Sequence, residues 1–317
     1  MSGITDAPVR RLVSELGAGL VVSEMTAGAD LAHGRPIARL RSEATGHGPH
    51  VVQLAGCEAR WMAEGARVAQ ACGADIIDIN MGCPARNVTN GQSGSALMRD
   101  LDHAMRLIEA TVAAAGVPVT LKMRLGWDHA SLNAPELARR AQAAGVAMVT
   151  VHGRTRCQFY KGEADWRAVR AVRAATTLPL VVNGDIVDHD SARAALAQSG
   201  ADAVMIGRGA QGRPWLLGDI AQALRGGAAP GAPALDVQLG HMLRLYDDIL
   251  AHYGIAIGLR HARKHLGWAL EAAAETVAAP RPFLKDWRHR ILTAEDPKDV
   301  RRWLAEAYDD MAWRAAA

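Results

Sequence analysis

A cysteine between a glycine and a proline is the first residue of this sequence that could do chemistry. Residues 76–80 are rich in β-branched side chains and predict a short strand, which Gly82 and Pro84 interrupt so that Cys83 lies just past its C-terminal end. Most cysteines are small buried hydrophobic residues, and this alternative stays open. Segment 82–95 is rich in Gly, Asn and Ser and is long for a strand-to-helix connection, which favours a functional thiol.

Polar or charged residues end five of the predicted strands. Side chains alternate between the two faces of a strand, so these residues share a face opposite to the apolar one. Each alone could be a polar residue that water satisfies at the mouth of a barrel. Because the carboxyl ends of parallel strands meet at one edge, where α/β barrels keep their active sites, together they predict one site. The five residues are Gln53, Asn80, Lys122, His152 and Asn183.

Residues 207–212 formally match the Gly-x-Gly-x-x-Gly dinucleotide fingerprint. The match is weak, because the Rossmann version needs an early βαβ unit and an acidic residue about 20 positions later. In a barrel, glycines after the last two strands bind phosphate through backbone N–H groups and a short helix N-terminus. Residues 183–185 and 207–208 lie on those two loops. They predict a phosphate-bearing cofactor, with flavin mononucleotide (FMN) as the natural candidate.

Helices and strands alternate over most of the chain, which predicts an α/β fold with parallel strands, either an open sheet or a TIM (β/α)8 barrel. The predicted strands are 19–24, 50–54, 75–80, 117–123, 148–152, 180–183 and 203–206. The predicted helices are 5–16, 58–71, 102–115, 134–144, 165–174 and 188–198. A barrel needs eight strands, and this series of seven opens with a helix. We therefore expect a TIM barrel that lacks its first strand as given, with that strand encoded upstream of Met1.

A Gly-, Pro- and Ala-rich stretch at 226–233 predicts a linker between a barrel domain, 1–225, and a small all-helical domain, 234–317. Between Arg260 and Arg290 the chain has seven Lys or Arg residues against three acidic ones. A solvated helix face would have this composition. A surface that contacts the phosphate backbone of a nucleic acid would have it too.

Composition sets outer bounds on the function. The chain has 317 residues, 50% of them hydrophobic and 22% charged, which is enough to bury a large core. There is no apolar run of the ~20 residues that a membrane span needs, and no signal-peptide pattern. Four cysteines without a Cys-x-x-Cys pair suit a reducing compartment and indicate no structural metal. We expect a cytoplasmic monomer without a metal or a membrane partner. The net charge of +3 is compatible with a polyanionic partner without demonstrating one.

The motifs together resemble the bacterial tRNA-dihydrouridine synthase family, nearest its B-type branch, over almost the whole chain. The run Asn-Met-Gly-Cys-Pro at 80–84 is highly specific at its spacing from Lys122 and from Asn-Gly-Asp at 183–185. Further matching segments are 1–6, 23–25, 53–56, 94–98, 122–124, 151–155, 207–209 and 263–265.

The resemblance implies a reaction and a set of site residues. Reduced FMN, with NADPH as electron donor, would deliver hydride from N5 to C6 of a D-loop uridine in tRNA. Cys83 would give the proton to C5, since a thiol is mostly protonated at neutral pH, and Lys122 would offset the charge of the reduced ring. The implied FMN-binding residues are Met1, Ser2, Gln53, Lys122, His152, Asn183, Gly184, Asp185, Gly207 and Arg208. The implied RNA-binding residues are Arg86, Arg154, Arg260, Arg263, Lys264 and His265.

Two departures from the family pattern bear on the site. Relatives carry a strand ending in Ala-Pro just before the position of Met1, so we expect about ten to twenty residues with that strand upstream. Where relatives often have two lysines after Cys-Pro-Ala, this chain has Arg86 and Asn87. Two alternatives remain open: a flavin-dependent reductase of free pyrimidines or small enones, and a catalytically impaired RNA-binding relative.

Overall fold

The computed structural model describes residues 1–228, 230–279 and 281–316, without the side chains of Arg281, Pro282 and Ala316. The chain forms two compact units. The first comprises Met1–Arg10 and Leu20–Arg208, and the second comprises Arg11–Gly19 and the chain from Gly209 onward. The division after Arg208 comes earlier than the predicted linker at 226–233, of which Ala229 lies outside the described residues.

The first unit is built on one parallel sheet whose seven strands follow one another in sequence order, the arrangement of TIM-barrel strands. The strands are β1 (Thr26–Ala27), β2 (Val51–Ala55), β3 (Ile76–Met81), β4 (Val119–Arg124), β5 (Met148–His152), β6 (Leu180–Asn183) and β7 (Ala203–Met205). The sequence predicts this fold class and six of the seven strands to within two residues.

The predicted first strand, 19–24, is wrong. Only Val22 forms a single parallel bridge there, to Val51, and the regular strand comes later, at β1. The reason lies in a side chain: the hydroxyl of Ser23 accepts a hydrogen bond from the backbone N–H of Gln53 at 2.9 Å. That N–H is a donor that a regular ladder would give to a backbone carbonyl.

Side-chain alternation separates an apolar face of the sheet from a polar one, as predicted. The polar face aligns in rows across the strands, because the register pairs Gln53 with Asp78 and Asp78 with Thr120. The apolar face is almost completely buried, with exposures of 1% or less at Leu54, Ile77, Ile79, Leu121, Met123, Val149, Val151 and Val182.

The helices of the first unit lie between its strands. Aspartates begin several of them: Asp100, Asp165 and Asp188 each accept a hydrogen bond from a backbone N–H of the first turn. The predicted irregular loop 82–95 contains helical segments. The helices are α2 (Gly28–Ala32), α3 (Pro36–Arg41), α4 (Ala59–Ala71), α5 (Arg86–Thr89), a 3-10 helix (Gly94–Arg99), α6 (Leu101–Ala114), α7 (Ala134–Ala143), α8 (Trp166–Ala175) and α9 (His189–Ser199), while α1 (Ala7–Glu15) is divided between the units at Arg10.

The second unit is helical where it is described. Besides Arg11–Gly19, it comprises the end of a 3-10 helix (Arg208–Ala210), from Gly209 onward, and α10 (Leu216–Leu224), α11 (Leu235–Tyr253), α12 (Ile255–Thr276), α13 (Arg281–Thr293) and α14 (Pro297–Ala316). Its core is apolar, with Leu245, Ile249, Leu270, Leu304 and Met311 among the residues exposed by 4% or less. No helix in the described ranges is both long and apolar enough to cross a membrane.

Candidate active site

A network of buried polar side chains lies on the polar face of β2, β3 and β4. The Asp78 carboxylate accepts hydrogen bonds from Thr120 Oγ1 at 2.5 Å and from Gln53 Nε2 at 2.7 Å. Gln53 Oε1 in turn accepts one from Asn80 Nδ2 at 2.8 Å. Burial raises the pKa of Asp78, although the hydrogen bonds from Thr120 and Gln53 and the charge of Lys122 act in the opposite direction.

The turn that carries Cys83 is held from both sides. Asn80 Oδ1 accepts hydrogen bonds from the backbone N–H of Gly82 at 3.2 Å and of Cys83 at 3.0 Å. The Cys83 carbonyl accepts from Ser95 Oγ at 2.8 Å. Gly94, with φ of 58°, allows this approach, because a Cβ there would lie 2.8 Å from the Cys83 carbonyl oxygen. The free thiol is half-buried, so Cys83 lies in a fixed turn past the end of β3, as predicted.

Lys122 is a cation without a partner in this site. Its side chain is half-buried, and no hydrogen bond or ion pair joins its ammonium to any residue within 1–228, 230–279 and 281–316. Burial lowers its pKa to about 8; the charge of Arg124 lowers it further, while Asp78 and Cys83 raise it. The register places Lys122 beside Asn80 on the neighbouring strand.

Arg124 is a structural member of the site to which the sequence prediction gave no role. It is only 1% exposed, and its guanidinium donates to the carbonyls of Gly82, Thr155 and Phe159, each at 2.8 Å. Burial lowers its pKa to about 10. Arg124 thereby ties the Cys83 turn to the loop after β5. The alternation of β4 placed it on the same face as Lys122, which is the signal that could have identified it.

His152 is buried at the end of β5 and is 8% exposed. Burial lowers its pKa to about 2, helped by the charges of Lys122 and Arg124, so the imidazole is neutral. Gly184 makes room for it: its φ is 115°, and a Cβ there would lie 2.7 Å from His152 Cδ2. Asn183, next to His152 in the register, donates from Nδ2 to the Met205 carbonyl at 2.8 Å.

Arg154 has an internal role in the structure. It is 2% exposed, and its guanidinium forms a bidentate pair with Asp185, with N–O distances of 2.9 and 2.5 Å. It also donates to the carbonyls of Lys161 and Gly162. Arg154 thus fastens the loop after β5 to the loop after β6, and its contact with RNA stays a prediction.

Asp185 and Arg208 lie together at the predicted phosphate site. The Asp185 carboxylate, already paired with Arg154, lies 3.7 Å from Arg208 Nη2. Hydrogen bonds from Arg154 and the backbone N–H of Ala164 outweigh the effect of partial burial and lower the pKa of Asp185. The Asp185 carboxylate therefore lies between two arginines, Arg154 and Arg208. The Arg208 Cζ also lies 4.8 Å from the centre of the Tyr160 ring.

Residues at the start of the chain lie near the last strand of this unit. A Cβ at Gly207 would lie 3.6 Å from Met1 Sδ. Ser2 is exposed, and the next residue, Gly3, donates its backbone N–H to Glu24 Oε1 at 2.5 Å. The structure thus brings Met1 and Gly207 together as expected.

An arginine and aromatic cluster lies on loops after β3, β4 and β5, and the sequence gave no sign of it. The Cζ atoms of Arg99 and Arg156 lie 4.3 and 4.6 Å from the ring centre of Trp127, and Arg156 is also 4.7 Å from that of Phe159. Arg99, Trp127 and the neighbouring residues Arg156 and Phe159 come from three distant parts of the chain. Only the fold brings them together.

The predicted RNA-binding residues differ in exposure. Arg86 and Arg260 are exposed, whereas Arg263 and Lys264 are half-buried on α12. His265 is only 7% exposed, and its contact with RNA stays a prediction. Elsewhere in the basic stretch, Arg288 pairs with Glu271 and Arg290 lies 4.0 Å from Glu306, while the Arg281 side chain lies outside the described residues.

The burial of His265 predicts acid sensitivity. Burial lowers its pKa from 6.5 to about 3, and its Nε2 has no hydrogen-bond partner in the described ranges. Below pH 6.5 the unfolded chain binds a proton that the folded chain does not, so this contribution to stability is complete above that pH and declines as pH falls. At pH 5 the loss is about 2 kcal/mol.

We therefore expect His265→Leu to reduce the fall in free energy of unfolding between pH 7.5 and pH 5, measured by urea denaturation. The exposed His129, changed to Leu, serves as the control and should leave the fall unchanged. Equal falls in the parent and in His265→Leu would contradict the assignment.

Comparisons with known proteins identify the family of this chain. Residues 1–308 match the pattern of the family described as Dihydrouridine synthase (Dus). The chain is 53% identical over 310 residues to a probable tRNA-dihydrouridine synthase of Rhizobium leguminosarum bv. phaseoli, covering 98% of this chain and 93% of that one. It is 45% identical over 315 residues to the tRNA-dihydrouridine synthase B of Xanthomonas axonopodis pv. citri, covering 98% and 91%.

Among solved structures, the chain is similar in fold to the 6-hydroxypseudooxynicotine amine oxidase of Pseudomonas geniculata N1. The TM-score is 0.51 at 14% identity, covering 69% of this chain and 44% of that one. This likeness concerns the fold alone, whereas the family match spans both units and carries the identification. The chain belongs to the dihydrouridine synthase family.

Proposed function

We propose that this protein is a tRNA-dihydrouridine synthase that reduces the C5=C6 bond of a D-loop uridine. Family membership supports the reaction class. The observation that carries the proposal is the pairing of two groups at one end of the sheet. Asn80 fixes the backbone of the turn that carries the half-buried Cys83 thiol, and the ammonium of Lys122, which has no partner among the described residues, lies on the adjacent strand.

The residues present fit a flavin, and we propose FMN with NADPH as the electron donor. Bound flavin would supply the hydride for C6. Lys122 offers a positive charge to an electron-rich ring, because no residue in the described ranges neutralises it. The neutral His152 adds no second charge beside it. Gly184, Gly207 and Arg208 offer backbone N–H groups and a guanidinium to a phosphate.

Cys83 would then act as the general acid. Its thiol gives a proton to C5 and is left as a thiolate, whose charge Lys122 and Arg124 stabilise. Asn80 keeps the turn fixed through the backbone, which leaves the sulfur itself free for the substrate. Arg124 holds the loop after β5 against the same turn. These residues thus orient one proton donor and do not form a chain that transfers protons.

We propose that tRNA binds through basic residues that remain accessible, Arg86 in the first unit and Arg260, Arg263 and Lys264 in the second. Among the described residues, no ion pair with Asp or Glu joins Arg260 or Arg263. Such cations bind the phosphate backbone without reading sequence. We further propose a monomer that acts in the cytoplasm, where such a substrate is found, with the division after Arg208 separating a catalytic unit from an RNA-binding one.

The direct test incubates the purified protein with an unmodified tRNA transcript, FMN and NADPH. Digestion and mass spectrometry should detect nucleosides that have gained two hydrogens, in the D-loop. A transcript with cytidine in place of the D-loop uridines is the control. Reduction of free uridine at a comparable rate, without reduction of tRNA, would contradict the proposal in favour of a small-molecule reductase.

Arg208→Ala should weaken flavin retention, because it removes a charged donor to phosphate. We expect a rise in the flavin dissociation constant of about tenfold, corresponding to one charge-assisted hydrogen bond. Flavin absorbance after dialysis measures it. Arg193→Ala removes an equally exposed arginine from α9 and is the matched control. Equal retention in the two variants would place the phosphate elsewhere.

Replacing Arg260, Arg263 and Lys264 together with Ala should weaken tRNA binding and flatten its salt dependence. Each lost phosphate contact should reduce the slope of log K against log salt by about 0.7 to 0.9. NADPH oxidation without tRNA should not change. A control with the same loss of charge replaces arginines on α4, α7 and α9, namely Arg67, Arg139 and Arg193. An unaltered slope would show that the three residues of α12 form a solvated helix face and do not contact tRNA.

A further inference from the structure

Two amide side chains connect a buried carboxylate to the turn that carries Cys83. Asp78, Gln53 and Asn80 are exposed by 4, 8 and 8%, so neither solvent nor a ligand is needed to explain their hydrogen bonds. Among the described residues, no hydrogen bond joins Asp78 to Cys83. Its influence on the turn therefore has to pass through Gln53 and Asn80.

The two ends of this chain of groups, the carboxylate and the backbone N–H groups of the turn, require the same direction of hydrogen bonding. An ionised carboxylate only accepts, so Gln53 must present its NH2 group to Asp78. Its Oε1 then faces Asn80, which must present its own NH2 group. Asn80 Oδ1 is left for the backbone N–H groups of Gly82 and Cys83. Each amide has its oxygen and nitrogen on opposite branches, so the acceptor at Asp78 and the donors of the turn together leave each amide one orientation.

The opposite direction would disrupt the turn. If Gln53 and Asn80 were both reversed, the NH2 group of Asn80 would meet the N–H of Cys83, and two donors would face each other without water. A buried donor without a hydrogen-bond partner lowers the free energy of unfolding by more than a typical net hydrogen bond contributes. An aspartate at 78 excludes this arrangement, whereas a neutral amide there could donate or accept.

We propose that Asp78 is a positioning residue that, through the amides of Gln53 and Asn80, fixes the hydrogen bonds of the Cys83 turn. This inference rests on the proposed function only for its relevance to catalysis. We call the chain of hydrogen bonds from Asp78 through Gln53 and Asn80 to the Cys83 turn the relay. Thr120 donates a hydrogen bond to the other carboxylate oxygen of Asp78, so it does not affect the direction of the relay. Burial raises the pKa of Asp78, and the hydrogen bonds from Thr120 and Gln53 and the positive charge of Lys122 act against burial in favour of the ionised carboxylate.

The test is the hydrogen exchange of the Cys83 backbone amide, followed by NMR in protein labelled with 15N-cysteine. Asp78→Asn keeps the shape and removes the acceptor-only group, and we expect the protection of this amide to fall about tenfold or more. Thr120→Val is the matched control, because it also removes a hydrogen bond from Asp78 but leaves the relay intact. It should retain the protection. In Asp78→Asn, kcat for tRNA should fall while KM for tRNA stays constant.

A double variant tests the direction of the hydrogen bonds more specifically than the single substitution. Asp78→Asn combined with Gln53→Glu moves the acceptor-only group one position along the relay. Asn80 must again turn its NH2 group toward residue 53 and its Oδ1 toward the turn. Protection of the Cys83 amide should then return, which a merely structural role for Asp78 would not produce.

Several outcomes would overturn the inference. They are parental protection in Asp78→Asn, equal loss in Thr120→Val, or no recovery in the double variant. If Asp78→Asn does not fold, Gln53→Met interrupts the relay at the next link and should cause the same loss at Cys83, and parental protection there is equally decisive. Because amide exchange needs no activity, it is separable from the proposed function. Full tRNA reduction by Cys83→Ala would defeat the function and leave the relay standing.

Discussion

Replacing Cys83 with Ala should abolish nearly all dihydrouridine formation and leave the protein folded. General acids typically contribute 10² to 10⁴ in rate, so we expect kcat to fall by about two to four orders of magnitude. The turn should persist, because its hydrogen bonds come from Asn80 and Ser95 and involve only the backbone of residue 83. Flavin content and its reduction by NADPH should therefore match the parent. Single-turnover reduction of a tRNA transcript measures the effect.

Two variants control this experiment. Cys83→Ser keeps a hydroxyl that is a much weaker acid than a thiol, and it should be nearly as inactive as Cys83→Ala. Cys157→Ala removes an exposed free thiol and should retain parental activity. Parental rates in Cys83→Ala, or a comparable loss in Cys157→Ala, would refute the role of Cys83 as the proton donor.

Replacing Arg124 with Met should cause the largest loss of stability in the first unit. The methionine fills much of the volume but leaves three buried carbonyls, those of Gly82, Thr155 and Phe159, without their donors. With hydrogen bonds from a charged group at about 1.5–3 kcal/mol each, and partial relaxation, we expect a loss of about 3–5 kcal/mol. Thermal unfolding should shift on the order of 10 °C lower.

Arg124→Lys separates charge from geometry. The lysine keeps a positive charge but cannot reach three carbonyls at once, so it should recover only part of the stability. Arg140, which forms a partly exposed pair with Asp102, provides the control: Arg140→Met should cost less than about 1 kcal/mol. Equal melting temperatures for Arg124→Met and the parent would show that the guanidinium is not what joins the two loops.

The period-two pattern of the strands explains how much of the site the sequence could predict. In β3 and β4 an apolar residue follows each polar one, so the inward positions of Asn80 and Lys122 could be read from the chain. Side chains at strand ends then meet because parallel strands share an edge. The first strand could not be read in this way, since the Ser23 hydroxyl takes a ladder hydrogen bond and shifts regular pairing to β1.

The sequence alone could not show which of the charged residues are buried. Arg154 lies in a motif that resembles an RNA-binding family, and only the fold shows that its guanidinium is enclosed with Asp185. The same holds for His265, because the sequence around it does not reveal which face of α12 is buried. Long-range groupings such as Arg99 with Trp127 have no local signal at all.

The Arg154 and Asp185 pair has a consequence for how this sequence can change over generations. Loss of either residue leaves the other as a buried or partly buried charge, and exchanging the two would place a carboxylate against the carbonyls of Lys161 and Gly162. We therefore expect both single substitutions and a simple swap to be costly. In relatives, we expect the two positions to change together if they change at all.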